Sequence, residues 1–331
     1  MDTATHFAMG FGLAALAHLD PAVATHPGLA EAVTIGTVLG SQAPDLDGFT
    51  RLWGSASYIR NHRGISHSIP FLFIWSFGIF GLIQWLAPQT AWLHVLSWTF
   101  LAVVLHVFVD LFNSYGTQGL APFNKKWISL HTIFIFDPFI FGIHLMGFML
   151  WSKGMEPGSL FLIIYLIIAG YYTIRYRIHK QAKEAVQISF GRKGNYTLIP
   201  TFNWNQWTLL VQTDTHWYVG EVSGTEPIIL DTFPIKPENE YVALAKTDEK
   251  VQAFLSFTSY AHVEVREHHF GYEVRWSDLR YRSKNSGHYM FVAVVYIDKT
   301  MAIRDSFVGW IHRGEEQLAK KMDPEKEIQL N

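Results

Sequence analysis

The segment Asn61–Ser68, with the sequence NHRGISHS, places two histidines, an arginine and two serines directly before an apolar run that begins at Ile69. The imidazoles of His62 and His67 are suitable ligands for zinc, manganese or iron when carboxylates lie near them. Arg63, between them, suits an anionic group because its planar guanidinium can contact two oxygens at once. These residue types therefore indicate metal binding beside an anion.

Other histidines and aspartates can complete such a site. Asp45 and Asp47, in PDLD, follow a segment that ends near Ser41. A helix C-terminus carries partial negative charge, so two carboxylates there need a cation nearby. His106 and Asp110 are four residues apart and project from one face of a helix. A metal ion with an open position would lower the pKa of its bound water towards about 7 and generate a hydroxide nucleophile. The predicted metal ligands are His6, Asp45, His62, His67, His106 and Asp110.

Three residues have predicted catalytic roles. Asp47 and Asp137 are candidates for a general base or for a ligand of a second ion, and Arg63 is the predicted substrate contact. Asp137 precedes Pro138, so a helix cap at this position is an equal alternative. The catalytic assignment therefore includes Asp47, Asp137 and Arg63, with the choice of general base left open.

The two serines of NHRGISHS invite a serine-nucleophile interpretation. The segment lacks the G-x-S-x-G elbow of serine hydrolases. We therefore expect Ser66 and Ser68 to cap the helix that begins at Ile69.

The composition is typical of a membrane protein. Hydrophobic residues make up 49% of the 331 residues and charged residues only 16%, against about 25% in soluble domains. The chain has no cysteine, so a metal would need nitrogen and oxygen ligands. A net charge of −2 argues against a nucleic-acid partner. The N-terminus lacks the basic region of a signal peptide.

The apolar segments predict an α-helical polytopic membrane bundle of about four strong spans and two shorter N-terminal helices. Each strong segment approaches the roughly 20 residues that cross a bilayer, with flanking residues where needed. The predicted strong spans lie on either side of residues 87–91 within Ile69–Phe112, at Thr132–Trp151 and at Ser159–Tyr172, and the shorter helices at His6–His18 and Ala30–Ser41.

Lysine and arginine fall on one side of this predicted bundle. They precede the first strong span, follow the second and follow the fourth, whereas the intervening turns hold none at 87–91 and only Lys153 at 152–158. By the positive-inside rule, the basic loops are cytoplasmic. NHRGISHS and the C-terminal region are then predicted to face the cytoplasm.

The sequence pattern changes at about residue 194. Alternating β-branched and aromatic runs at 207–213, 216–222, 261–267, 272–278 and 289–298 predict strands, with one helix near Asp248–Tyr260. Arg266–Arg282 is predicted to form a hairpin. We expect a membrane-embedded domain at 1–180, a basic linker at 181–193 and a small soluble β-rich (α+β) domain at 194–331.

At these residues the chain resembles the LexA-binding, inner-membrane-associated hydrolase family, also described as membrane-bound metal-dependent hydrolases (YdjM-like). The resemblance covers about residues 1–180. It implies a metal-dependent hydrolase in a bacterial cytoplasmic membrane. The matching pieces are His6, PDLD at 44–47, HRGISHS at 62–68, HVFVDLFNSYGTQ at 106–118, APF at 121–123 and Asp137.

A fainter likeness connects the chain to zinc-dependent phospholipases C, in which a similar order of residues builds a metal cluster. His6, Asp45, His62 or His67, and the pair His106 and Asp110 match that order. Those enzymes also use an H-x3-E pair, which this sequence lacks. The resemblance therefore implies one or two ions rather than three.

We expect a membrane hydrolase with a divalent metal, zinc or alternatively manganese or iron, that acts at the cytoplasmic interface on a lipid-linked or membrane-associated (phospho)ester. One alternative is a membrane-anchored regulator that holds a structural metal and binds a protein partner through its C-terminal domain. A second is a proton or metal-ion transporter that uses Asp110 and Asp137 as an intramembrane relay.

Overall fold

The computed structural model describes residues 1–224 and 226–322, which form two compact units. The first unit contains Met1–Gly48, His62–Ala185 and Leu198–Trp207. The second contains Phe49–Asn61, Val186–Thr197 and the described residues from Thr208 onwards.

The first unit is helical. Its long helices are joined by short turns and by the irregular segment between α6 and α7, and a 3₁₀ segment, Ala43–Trp53, follows α3. The helices are α1 (Thr3–Leu16), α2 (Pro21–Thr25), α3 (Pro27–Gly40), α5 (Ile69–Leu86), α6 (Trp92–Asp110), α7 (Pro138–Ser152) and α8 (Pro157–Phe190), and α4 (Ser55–Asn61) belongs to the second unit.

Small residues let α1, α3 and α6 pack closely. A Cβ atom on Gly10 of α1 would lie 2.4 Å from the Ser41 Oγ, and one on Gly36 of α3 would lie 2.2 Å from the Thr99 Oγ1 of α6. These distances leave no room for a side chain at either glycine. Glycine therefore sets the close approach of the helices that carry His6 and His106.

Three helices among the described residues are long and apolar enough to cross a membrane: Ile69–Leu86, Trp92–Asp110 and Pro157–Phe190. The prediction of four strong spans is therefore wrong by one. The predicted span Thr132–Trp151 is helical only from Pro138 to Ser152, which is 15 residues. The Asp137 side chain accepts hydrogen bonds from the Phe139 and Ile140 amides and fixes the helix start at Pro138.

The second unit contains most of the β-structure, as the alternating pattern predicts. One sheet has the order β1-β2-β3-β4 and the other β5-β6-β7-β8. The predicted hairpin at Arg266–Arg282 is confirmed as the antiparallel pair β5–β6. The strands are β1 (Asn195–Pro200), β2 (Gln206–Gln212), β3 (His216–Ser223), β4 (Glu226–Pro234), β5 (Ala261–His268), β6 (Gly271–Asp278), β7 (Phe291–Asp298) and β8 (Ile303–Trp310), with helices α9 (Glu240–Ala245), α10 (Glu249–Phe257) and α11 (Glu315–Ala319).

The helix α4 comes early in the sequence but packs in the core of this second unit. Its Ile59 is buried with Phe254 of α10 and with Trp276 and Val295 of the second sheet. Arg60 lies 3.3 Å from Glu249, the first residue of α10. The chain thus leaves the helical unit after Gly48, contributes α4 to the other unit, and returns at His62.

Replacing Ile59 by alanine should destabilise the second unit, because the site is 7% exposed and the deletion leaves a cavity of three carbons. The expected loss is about 2 kcal/mol or more, or roughly 4–8 °C in the melting temperature measured by scanning fluorimetry. The control Ile228→Ala removes the same atoms from a side chain that is 63% exposed. Equal melting temperatures for both variants would show that α4 does not support this core.

Candidate metal centre

Four side chains of the first unit point their ligand atoms at one another: Asp45, His67, His106 and Asp110. The His67 Nε2 lies 3.4 Å from the Asp45 Oδ1 and 3.5 Å from the Asp110 Oδ2. The His106 Nε2 lies 3.7 Å and 3.6 Å from the same two oxygens, and the two Nε2 atoms are 3.3 Å apart. We call these four residues the buried centre.

The backbone holds His106 in the orientation that a metal ligand needs. Its Nδ1 lies 2.6 Å from the carbonyl oxygen of Ser41, at the end of α3. A carbonyl only accepts, so the Nδ1 is protonated and donates, and the Nε2 keeps its lone pair for the centre. The prediction that His106 and Asp110 share one face of a helix is confirmed.

His67 is held by its neighbours in the HRGISHS segment. Its Nδ1 lies 2.9 Å from the Ser66 hydroxyl and 3.5 Å from the Asp47 Oδ2. Ser66 itself donates to Asp47. The prediction that Ser66 and Ser68 cap α5 with their side chains is wrong. Ser68 occupies the N-cap position, but its hydroxyl donates to the Ile65 carbonyl. Ser66 instead orients the ligands.

Asp110 divides its two oxygens between different tasks. The Oδ1 contacts the Met1 amino group, the Arg63 guanidinium at 3.3 Å and the Asn113 side-chain amide at 3.1 Å. The Oδ2 is buried without a hydrogen-bond partner among the described residues. Positive charge and donors on one side thus turn the other oxygen towards the two imidazoles.

Asp45 comes from the 3₁₀ segment after α3, so the end of α3 contributes both this carboxylate and the Ser41 carbonyl. Its Oδ1 is buried and, within the described chain, accepts no hydrogen bond. Burial alone would raise the pKa of the Asp45 carboxyl, but the imidazoles of His106 and His67 hold it well below the usual range. Asp45 is therefore charged, and at 18% side-chain exposure it is the ligand nearest to solvent.

The spacing of the buried centre fits a metal ion. A tetrahedral ion with bonds of about 2.1 Å keeps its ligand atoms about 3.4 Å apart, close to the observed distances. Two unpaired carboxylate oxygens beside two imidazole lone pairs would otherwise repel one another at a buried site. Nitrogen and oxygen ligands in this geometry suit zinc.

A second group, Asp45, Asp47 and His62, lies at the edge of the buried centre and shares Asp45 with it. The His62 Nδ1 is 2.7 Å from the Asp47 Oδ1, and the Arg63 amide donates to the Asp47 Oδ2 at 2.8 Å. Burial would raise the pKa of Asp47, but His62 and His67 keep it below the usual range. We call Asp45, Asp47 and His62 the edge group. His62 is its most exposed member, with 25% of the side chain exposed, so this group lies closer to solvent than the buried centre.

The other predicted residues take different positions. His6 stacks on His106 with ring centroids 3.8 Å apart, and its Nε2 lies 3.4 Å from the Asp110 Oδ1. Its two ring nitrogens are buried and have no hydrogen-bond partner in the described part of the chain. Asp137 belongs to neither group: it caps α7 and accepts a hydrogen bond from the Tyr171 hydroxyl at 2.6 Å.

The sequence prediction missed three groups that position the ligands: the Ser41 carbonyl, Ser66 and Asn113. Asn113 is fully buried, and its side-chain oxygen also accepts the Tyr115 and Gly116 amides. The sequence does show an asparagine three residues after Asp110 at the end of an apolar run, and this polar residue was a signal that could have identified Asn113. A backbone carbonyl such as that of Ser41 leaves no trace in the residue types.

A bundle of apolar helices with a buried histidine and aspartate centre, followed by two antiparallel sheets, defines a membrane-associated helical protein with a β-rich C-terminal domain. The YdjM inner membrane protein family matches residues 1–182. The chain therefore belongs to the YdjM inner membrane protein family, as the resemblance in the sequence indicates.

Other comparisons cover the C-terminal half. The YfhP middle domain matches residues 197–233 and the YfhP C-terminal alpha/beta plait domain matches residues 240–322. The chain is 46% identical over 326 residues to "Uncharacterized protein YfhP" of Bacillus subtilis (strain 168), covering 97% of this chain and 98% of the relative. No solved structure matches the chain.

Removing a ligand of the buried centre should remove the metal. We expect His106→Ala and Asp110→Asn to lower the zinc content of purified protein by more than about tenfold. Inductively coupled plasma mass spectrometry measures this content. The control His94→Ala lies near the other end of α6, where its ring contacts Asp20. Wild-type metal content in both ligand variants would show that the centre holds no ion.

Proposed function

We propose that the protein is a membrane-bound metal-dependent hydrolase that acts at the cytoplasmic membrane interface on a lipid-linked or membrane-associated (phospho)ester. The observation that carries the proposal is the buried centre, whose unpaired carboxylate oxygens and imidazole nitrogens converge next to a more exposed histidine. A zinc ion bound there would polarise the ester and lower the pKa of bound water.

The edge group supplies proton transfer in this proposal. Asp47 accepts from His62 and so orients the imidazole and stabilises its positive charge. The oxygen of the attacking water bonds to phosphorus or carbon, and His62 accepts the proton that this water loses. The ester bond to the leaving oxygen then breaks, and protonated His62 returns the proton to that oxygen.

Arg63 has a second role besides the substrate contact that the sequence alone assigns. Its guanidinium contacts Asp110 and donates to the Met1 carbonyl at 2.9 Å, and the side chain is 4% exposed. In the proposed enzyme Arg63 therefore orients Asp110. Its Nη1 has no hydrogen-bond partner among the described residues and would donate to an oxygen of the substrate. Asp137, engaged as a cap, is not assigned a catalytic step.

The proposal predicts different effects for His62 and Asp110. With a fluorogenic alkyl phosphodiester in vesicles, His62→Gln should lower kcat by about 10²–10⁴-fold while the buried centre keeps its zinc. Asp110→Asn should lose both zinc and turnover. His94→Ala should match the wild type in both measurements. A wild-type protein that is loaded with zinc and hydrolyses neither phosphodiester, phosphomonoester nor carboxylic ester would overturn the proposal.

One observation favours the alternative of a regulator with a structural metal. The buried centre already offers four protein ligands, and three of them are exposed by 2% or less, as in a closed structural zinc site. This alternative predicts that chelation lowers the melting temperature while no ester is hydrolysed at any metal loading. The transporter alternative has no comparable support, because the side chain of Asp137 caps α7.

The cytoplasmic orientation is part of the proposal and rests on the positions of basic residues. The chain has no cysteine, so each single-cysteine variant carries one thiol. We expect a membrane-impermeant maleimide to label Thr90→Cys, in the turn between α5 and α6, on intact cells. Lys125→Cys, in the loop after α6, should react only after lysis. Both side chains are exposed, and the reverse pattern would invert the topology.

A further inference from the structure

A cavity of about 520 Å³ lies between α6 and α8 in the first unit, within the usual range of ligand pockets. Its walls include Val109 of α6, Phe112 just after α6, and Ile168, Ala169 and Tyr172 of α8. None of the lining residues carries a charge. The cavity is therefore suited to an apolar ligand.

Three of the hydroxyl groups in the lining are engaged with the protein. The Tyr165 hydroxyl donates to the Met9 carbonyl at 2.7 Å and the Thr173 hydroxyl to the Ala169 carbonyl at 2.9 Å. The Tyr172 hydroxyl lies 3.3 Å from the Met1 sulfur. These side chains expose rings and methyl groups to the cavity rather than donors, so a polar ligand would lose its hydrogen bonds to water without replacement.

The cavity lies next to residues that surround the buried centre. Val109 in its lining directly precedes Asp110 on α6, and Met9 in its lining lies three residues after His6 on the same side of α1. Met1 connects the two sites, since its side chain contacts Tyr172 and its amino group contacts Asp110. The part of the cavity at Val109 and Tyr172 is thus the part nearest to the buried centre.

The cavity is also elongated along two helices that can span a membrane. Its lining on α6 runs from Leu105 to Val109, a rise of about 6 Å, and on α8 from Tyr165 to Tyr176, a rise of about 16 Å. In a bilayer the molecules next to these helices are lipid hydrocarbon chains. The length of the cavity, its apolar lining and its position on these helices therefore all favour a lipid hydrocarbon chain as the ligand.

We propose that this cavity binds the alkyl chain of a membrane lipid whose polar head lies at the metal centre, so that the substrate class is an ester of a long-chain lipid. The identity of this lipid as a substrate rests on the proposed function. Lipid binding itself does not, and the two are measured separately.

The test uses the full-length protein in vesicles of phosphatidylglycerol that carries a diazirine in one acyl chain. Ala169→Phe fills the cavity from α8, and Ala169→Leu fills it less in case the larger ring prevents folding. The control Leu166→Phe changes a side chain of α8 that is 63% exposed and does not line the cavity. Zinc content and melting temperature verify that each variant is folded.

We expect photocrosslinks in wild type and Leu166→Phe at peptides containing Val109 and Tyr172, and a decrease of at least about fivefold in Ala169→Phe. The preference for long-chain over short-chain phosphodiesters, measured as a ratio of kcat/KM, should fall in the same variant while short-chain turnover persists. Equal crosslinking in Ala169→Phe and Leu166→Phe would overturn the lipid site. Crosslinking as expected with no hydrolysis in any variant would overturn the proposed function and leave the lipid site standing.

Discussion

The structure of the helical unit depends on the placement of two carboxylates, Asp45 and Asp110, among buried imidazoles. Each keeps one buried oxygen unpaired in the described chain, and both oxygens lie within 3.7 Å of the same histidine nitrogens. Burying negative charge in this way costs several kcal/mol unless a cation compensates it. The surrounding helices bring these four side chains together at distances that fit one ion.

The ligands come from three parts of the chain, and three of the four are oriented by groups that are not themselves ligands. The Ser41 carbonyl orients His106, Ser66 lies against both His67 and Asp47, and Arg63 with Asn113 turns Asp110. These contacts link α3, the HRGISHS segment and α6, so an ion bound at the buried centre would stabilise the packing of these three segments. The glycines that allow α1 and α3 to approach belong to the same arrangement.

Sequence reasoning worked where chemistry is local and failed where it depends on distant packing. The four-residue spacing of His106 and Asp110 predicts a shared helix face whatever the rest of the fold does. Apolar composition across residues 132–136, in contrast, suggests a helix that is absent. The Thr132 and Ile133 amides instead donate to the Phe112 carbonyl just beyond α6, and this tertiary pairing has no counterpart in the hydropathy pattern.

The same distinction explains why α4 could not be assigned from the sequence. Its seven residues lie between two segments of the helical unit, yet Ile59 is buried in the core of the other unit. The two ends of this excursion carry Asp47 and His62, which hydrogen-bond to each other. The edge group and the buried centre therefore both belong to the helical unit, although Asp47 and His62 lie in the sequence on either side of a segment that folds with the second unit.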